Sequence, residues 1–166
     1  MSSHFNIYIL LSVVLLLRVI NAVSVDCPMV IQFAYNLGMQ TTSPSIWSQL
    51  QSNCCYFVNG FNAVTCVSNR VTQIEWYNIG LNGSINGTAI PSSLTFLNLQ
   101  KNSLVGSIPA MLPLGLTALY IDGNSLSGGL PTTLPQGLKT LYVFGNQLTG
   151  DLPMFPSTIQ YLALGY

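Results

Sequence analysis

Charge is nearly missing from this chain: four basic and four acidic residues stand among 166, with a single histidine. Arg18 falls in an N-terminal apolar leader, so the remainder carries Arg70, Lys101 and Lys139 against Asp26, Glu75, Asp122 and Asp151. Three scattered cations cannot release enough counterions to hold a phosphate backbone, which excludes nucleic acid as a partner. The one histidine, His4, precedes the leader's apolar run, so no Ser–His triad and no histidine metal site can form downstream. No CxxC spacing is present, which argues against a redox dithiol. Phosphate loops and dinucleotide fingerprints are also lacking, so no cofactor and no metal are expected. Beyond residue 24 no apolar stretch is long enough to span a bilayer.

What is present begins with the leader. Residues 7–17, IYILLSVVLLL, are too short to span a membrane and are followed by the small residues of NAVS, the layout of a secretory signal peptide over 1–24 with cleavage after Ala22 or Ser24. An uncleaved leader would make a signal anchor instead. All four cysteines, Cys27, Cys54, Cys55 and Cys66, follow the leader, and in an exported chain they read as a disulfide-stapled cap over 25–70. Neighbouring Cys54 and Cys55 lie too close to pair with each other. Two pairings remain, of which Cys27–Cys54 with Cys55–Cys66 is preferred because its loops do not cross.

Three segments, LTFLNLQKNSLVGSIP from Leu94, LTALYIDGNSLSGGLP from Leu116 and LKTLYVFGNQLTGDLP from Leu138, share LxxLxLxxNxLxGx(I/L)P. Their asparagines, Asn102, Asn124 and Asn146, stand 22 residues apart. A weaker copy starts at Val71, with Ile79 where asparagine would sit, and a stub starts at Ile159, giving units 71–93, 94–115, 116–137, 138–158 and 159–166. Alternation within LxxLxL predicts parallel strands that point Ile74, Trp76, Leu97, Leu99, Leu119, Ile121, Leu141, Val143, Leu162 and Leu164 inward. Each asparagine is placed to bond buried backbone where the chain leaves the strand. Gly106, Gly128 and Gly150 then permit a tight return, and Pro109, Pro131 and Pro153 favour an extended, irregular back face. The predicted fold is a curved leucine-rich-repeat solenoid. Ahead of it PMVIQFAYNL and SPSIWSQLQ read as helices, with Ser43 as an N-cap and Ile31, Phe33, Ala34, Ile46, Trp47 and Leu50 plugging the open end. The last rung would leave an unpaired edge, so the natural protein is expected to continue past Tyr166.

Cys27, Trp47, the pair Cys54 and Cys55, Cys66, RVTQIEW, and GLNGSI followed by NxLxGxIP repeats together resemble the N-terminal cap and first repeats of plant-type extracellular leucine-rich-repeat proteins. That group includes receptor-like kinases, receptor-like proteins and polygalacturonase-inhibiting proteins. The resemblance covers 27–166, and its cap disulfides, carried onto these positions, agree with the preferred pairing. It implies an extracellular or cell-surface recognition module, such as the ectodomain of a receptor, without enzymatic activity.

Outward side chains of the strands form columns across the concave face. Tyr77, Phe96, Tyr120, Asp122, Tyr142, Phe144 and Tyr161 are the candidate ligand-binding residues, because rigid rings dominate recognition hot spots and stack on sugars. The plainer reading is a stabilising ladder of cross-strand aromatic pairs. The expected partner is an extracellular protein, peptide or glycan, with membrane attachment only through an uncleaved leader or a further C-terminal segment. A structural or adhesive wall protein is the alternative. A carbohydrate-active enzyme is disfavoured, since the outward carboxylates Glu75 and Asp122 sit two rungs apart and read as solvated surface charges. Asn82 in NGS and Asn86 in NGT are glycosylation sequons away from the concave face.

Overall fold

Parallel strands cannot bond within themselves, so a repeat of this kind is ordered only by stacking on its neighbours. The structure, a computed structural model, describes residues 24–52, 54–55 and 62–165. The leader and the cleavage point after Ala22 lie outside the described residues. Ser24 is buried, its hydroxyl donating to the Asn69 carbonyl at 3.0 Å, so cleavage after Ser24 would remove a residue that the fold uses.

The cap holds three helices, α1 (Cys27–Asn36), α2 (Met39–Thr42) and α3 (Pro44–Ser52), and then strand β1 (Asn62–Val67). The backbone turns at Ser68 and Asn69, both in the left-handed region, which suits the twist of a tight hairpin. β1 thus pairs antiparallel with β2 (Arg70–Trp76) and covers the edge of the first rung. From β2 onward the sheet is parallel, through β3 (Phe96–Asn98), β5 (Ala118–Tyr120), β7 (Thr140–Tyr142) and β9 (Tyr161–Ala163). Ile74, Leu97, Leu119, Leu141 and Leu162 are register partners in turn, so the inward leucines stand one above another as expected. All inward residues from Ile74 to Val143 are buried. Leu164 is half-buried against the core, and Leu162, on the last described rung, is largely exposed.

Between strand and back face the structure has something the repeat pattern did not disclose, a second parallel sheet of β4 (Val105–Ser107), β6 (Ser125–Gly128) and β8 (Gln147–Leu148). Its strands follow the repeat asparagines, and the glycines at 106, 128 and 150, with φ of 82°, 78° and 90°, turn the chain at each step. The proline segments beyond carry no strand, as the sequence implied. A short 3-10 turn, Gly87–Ala89, lies on the back of the first repeat.

Each asparagine serves two rungs. Asn124 donates to Leu99 O and Ile121 O, both at 3.0 Å, and accepts from Leu104 N at 3.0 Å. Asn146 repeats the pattern with Ile121 O, Val143 O and Leu126 N. Asn102 donates to Trp76 O and Leu99 O and accepts from both Ile79 N and Leu81 N, so the first rung, lacking its own asparagine, is completed from the second.

The cap is joined to the solenoid by packing, by disulfides and by one carboxylate. Phe33, Ala34 and Leu50 are buried, and Ile31, Ile46 and Trp47 pack on the core from its margin. The Phe33 and Trp76 rings stack at 5.9 Å. Cys27 bonds Cys54 and Cys55 bonds Cys66, the preferred pairing. Ser43 stands at the N-cap position before Pro44, its carbonyl accepting from Trp47 N at 2.9 Å, while its hydroxyl donates to Ile79 O at 2.6 Å and ties the start of α3 to the first repeat. The buried Asp26 carboxylate accepts from Arg70 Nε at 3.0 Å, Val71 N at 2.8 Å and the Ser93 hydroxyl at 2.8 Å. Burial pushes the Asp26 carboxyl up, but the bonds from Arg70, Ser93 and Val71 outweigh it and hold the group below its ordinary value. Among the described residues no helix is long and apolar enough to cross a membrane.

Two outcomes follow from these contacts. Replacing Asn124 by Ala takes one of two asparagine donors from each of Leu99 O and Ile121 O and leaves Leu104 N without its acceptor, and chemical denaturation should show a loss of about 2 kcal/mol. Asn124→Asp should lose at least as much, because it sets an anionic oxygen against Leu99 O and Ile121 O. The stability supplied by Asp26 is complete above the ordinary carboxyl value, about pH 4, and is lost as pH falls through the lowered folded value. Denaturation midpoints of the native chain and Asp26→Asn should therefore differ at neutral pH and converge in acid.

Candidate functional site

Strand alternation leaves three outward positions per rung, and the register stacks them into columns. Gln73, Phe96, Ala118, Thr140 and Tyr161 form the first, and Glu75, Asn98, Tyr120, Tyr142 and Ala163 the second. The next column reads Tyr77, Gln100, Asp122 and Phe144, where backbone bonds from Asn78 N to Gln100 O, Lys101 N to Asp122 O and Gly123 N to Phe144 O continue the ladder past the strands. Those three donors, Asn78, Lys101 and Gly123, occupy a fourth column that Gly145 continues, and all four residues have positive φ.

The structure brings most of the candidate rings into one line. Phe96 and Tyr120 lie 5.5 Å apart, Tyr120 and Tyr142 5.1 Å apart edge to face, and Tyr142 and Phe144 6.4 Å apart. Phe96, Tyr120 and Tyr142 are half-buried, whereas Phe144 is 43% exposed and Tyr161, diagonal to Tyr142, is 59% exposed. Ladder and exposed surface are thus separate parts of one feature: the inner rings brace each other and the outer two face solvent.

Tyr77 stands apart at the cap end. Lys101 Nζ lies over its ring at 5.4 Å. Hydrogen bonding to Tyr77, with a smaller contribution from Asp122, raises the Lys101 ammonium above its usual value. Between Tyr77 and the rings is a recess of about 320 Å³ lined by Glu75, Tyr77, Asn98 and Gln100. Asn98 Oδ1 accepts from Gln100 N at 3.0 Å, which leaves its amide NH2 to donate outward. Gln100 Nε2 donates to Asp122 Oδ1, which leaves the glutamine oxygen as an acceptor beside the Glu75 carboxylate. The recess therefore offers acceptors and a donor within reach of the aromatic line.

Asp122 corrects the sequence reading. It is 3% exposed, not a solvated surface charge or a side chain offered to a ligand. Its neighbours in the column, Gln100 and Phe144, are large enough to cover it, and it positions the Gln100 wall of the recess. Glu75, Asn98 and Gln100 occupy outward columns like many other residues, and only their assembly around one hollow distinguishes them. Among the described residues no three His, Cys, Asp or Glu side chains converge. Asn82 and Asn86 are exposed and lie past β2, off the concave face.

The ring geometry predicts unequal effects on stability. Tyr120→Ala removes two ring contacts from the half-buried ladder and should cost about 2–4 kcal/mol in denaturant titration. Phe144→Ala removes one contact from an exposed ring and should cost less than about 1 kcal/mol. Equal losses would show that the exposed rings are as integral to the fold as the inner ones.

The leucine-rich-repeat family model matches residues 93–113 and 115–136. Comparison with curated proteins found no match. Among solved structures, a chain of the BIR3–SERK2 complex from Arabidopsis thaliana superposes with a TM-score of 0.52 at 30% identity, covering 61% of this chain and 61% of that one. The PEPR1–AtPEP1 structure gives 0.62 at 27% identity, over 77% of this chain but 19% of that one. The BIR2 ectodomain from Arabidopsis thaliana shares the fold, with a TM-score of 0.58 at 24% identity over 80% of this chain and 73% of that one. The chain thus spans about three fifths of the first of these proteins and a fifth of the second. Its stacked LxxLxLxxN rungs behind a disulfide-bonded helical cap form a leucine-rich-repeat solenoid, and these likenesses make it similar to plant-type extracellular leucine-rich-repeat proteins.

Proposed function

We propose that this chain is an exported recognition module that binds a peptide, or an exposed segment of a protein, across its concave face and performs no chemistry of its own. One observation carries the reading: the exposed Phe144 ring continues a braced aromatic line that ends beside a polar recess, with exposed Tyr161 on the adjoining strand of the same sheet. A face ordered before contact loses little freedom on association, so its side chains contribute most of their interaction energy to affinity. A peptide suits both halves of the site, with apolar side chains on the rings and a cationic or hydrogen-bonding group at Glu75, Asn98 and Gln100. Two of the proteins that this chain resembles crystallised as complexes, BIR3 with SERK2 and PEPR1 with AtPEP1. The two disulfides support export, because such bonds persist in oxidising compartments.

The test is selection of a displayed random-peptide library on the folded chain, with a glycan array probed in parallel. Enriched peptides should carry an apolar or aromatic residue and a basic one, and each should bind Phe144→Ala and Glu75→Gln about tenfold more weakly, a loss of about 1.4 kcal/mol. The melting temperatures of both variants should stay close to that of the native chain. Peptides that bind both variants as tightly as the native chain, or enrichment confined to glycans, would overturn the peptide reading.

A further inference from the structure

The back of the solenoid carries an apolar surface that the fold leaves open. Met111 is 81% exposed and Leu114 89% exposed, in a chain with few charges to keep such a surface in solution. Met111 forms one wall of a groove of about 240 Å³, shared with Gly87, Thr88, Pro109 and Ala110. The approach is close, since a Cβ added at Gly87 would lie 2.8 Å from Pro109 Cβ and 3.3 Å from Met111 O. Asn86, the exposed asparagine of the NGT sequon, is the residue immediately before Gly87.

The two sequons differ in how the fold holds them. Asn82, Gly83 and Ser84 are clamped to the end of α1, with Asn82 N and Gly83 N donating to Leu37 O and Ser84 N to Asn36 O. The Asn82 side chain fills the space beside Gly38, where no larger residue would fit. Asn86 makes no such contact with the cap. Its Oδ1 accepts from Thr88 N at 3.1 Å and Thr88 Oγ1 at 2.8 Å, which fixes the amide plane and directs Nδ2 away from Thr88.

We propose that Asn86 carries an N-linked glycan whose first sugars lie along the groove of Thr88, Pro109, Ala110 and Met111 and shield it from water. The inference rests on the export reading above. The bond that forms joins Asn86 Nδ2 to C1 of N-acetylglucosamine; the bond that breaks is that sugar's link to a lipid diphosphate donor of the secretory pathway, and one amide proton is lost. A pyranose ring presents a C–H face, which covers the Met111 thioether and the Pro109 ring while its hydroxyls stay in water. The glycan thereby takes the place of the charged residues that this surface lacks.

The full chain, secreted from cultured eukaryotic cells, tests this by peptide mass mapping after enzymatic deglycosylation in heavy-oxygen water. Asn86 should be occupied in most molecules and Asn82 in a minority. Enzymatic removal of the glycan from folded protein should raise apolar-dye fluorescence about twofold or more, and N86Q should do the same. Adding Met111→Ser and Leu114→Ser to N86Q should return the fluorescence to the glycosylated level. Secreted, disulfide-bonded protein with Asn86 bare, or fluorescence unchanged by deglycosylation, would overturn the glycan proposal alone. Retention inside the cell with four free thiols would overturn the export reading with it.

Discussion

Each of the first three rungs of this protein is completed by the rung that follows it. Strand hydrogen bonds run only between neighbours, and each repeat asparagine reaches back to the preceding repeat, as Asn124 does by donating to Leu99 O and accepting from Leu104 N, and Asn146 by donating to Ile121 O and accepting from Leu126 N. A buried N–H without a partner costs about 1–3 kcal/mol, and Leu104 N and Leu126 N find theirs on the asparagine of the next repeat, so the asparagine is a condition of stacking and not an addition to it. Inward leucines supply the driving force, since each contributes roughly 1.5–3 kcal/mol when fully buried, but they do not choose a register. The asparagines do, because their three partners exist in one alignment only.

That dependence explains the elaboration of the cap. The first rung has no predecessor, and its outer edge and inner face would both meet water. The β1 hairpin pairs the edge, α1 and α3 cover the interior, and Asp26 fastens the segment before α1 to Val71 on the first rung and to Ser93, just ahead of the second. Asn82, Gly83 and Ser84 use the carbonyls at the end of α1 in the way the later repeats use one another's. The cap thus imitates a preceding repeat with unrelated secondary structure.

The solenoid was legible because its signal is periodic: leucine, asparagine, glycine and proline keep their places over several units, and a strand's alternation then fixes which residues face out. The disulfides were legible because adjacency of Cys54 and Cys55 removes one pairing and loop crossing disfavours another. What escaped depends on contacts between distant residues of no special type. Asp26 acts on partners 44 to 67 positions away, and nothing local marks it. Asp122 looks exposed by alternation alone, and only the bulk of Gln100 and Phe144 on either side hides it. Ser43 stands where an N-cap belongs, yet Ile79 O is the nearer use for its hydroxyl. The second sheet was missed because its strands of two to four residues are too short to show a period of their own.

The fourth column, where the backbone takes positive φ on each rung, changes character along the solenoid. Near the cap it holds Asn78 and Lys101, and farther on Gly123 and Gly145. One end of the face therefore has a flank of side chains with a cation among them, and the other has bare main chain beside the exposed Phe144. The two ends are chemically unlike although the repeats that build them are nearly the same. An extended chain lying along the axis would fit in one direction and not in the reverse, so the scaffold carries a sense of head and tail that its translational regularity alone would not supply.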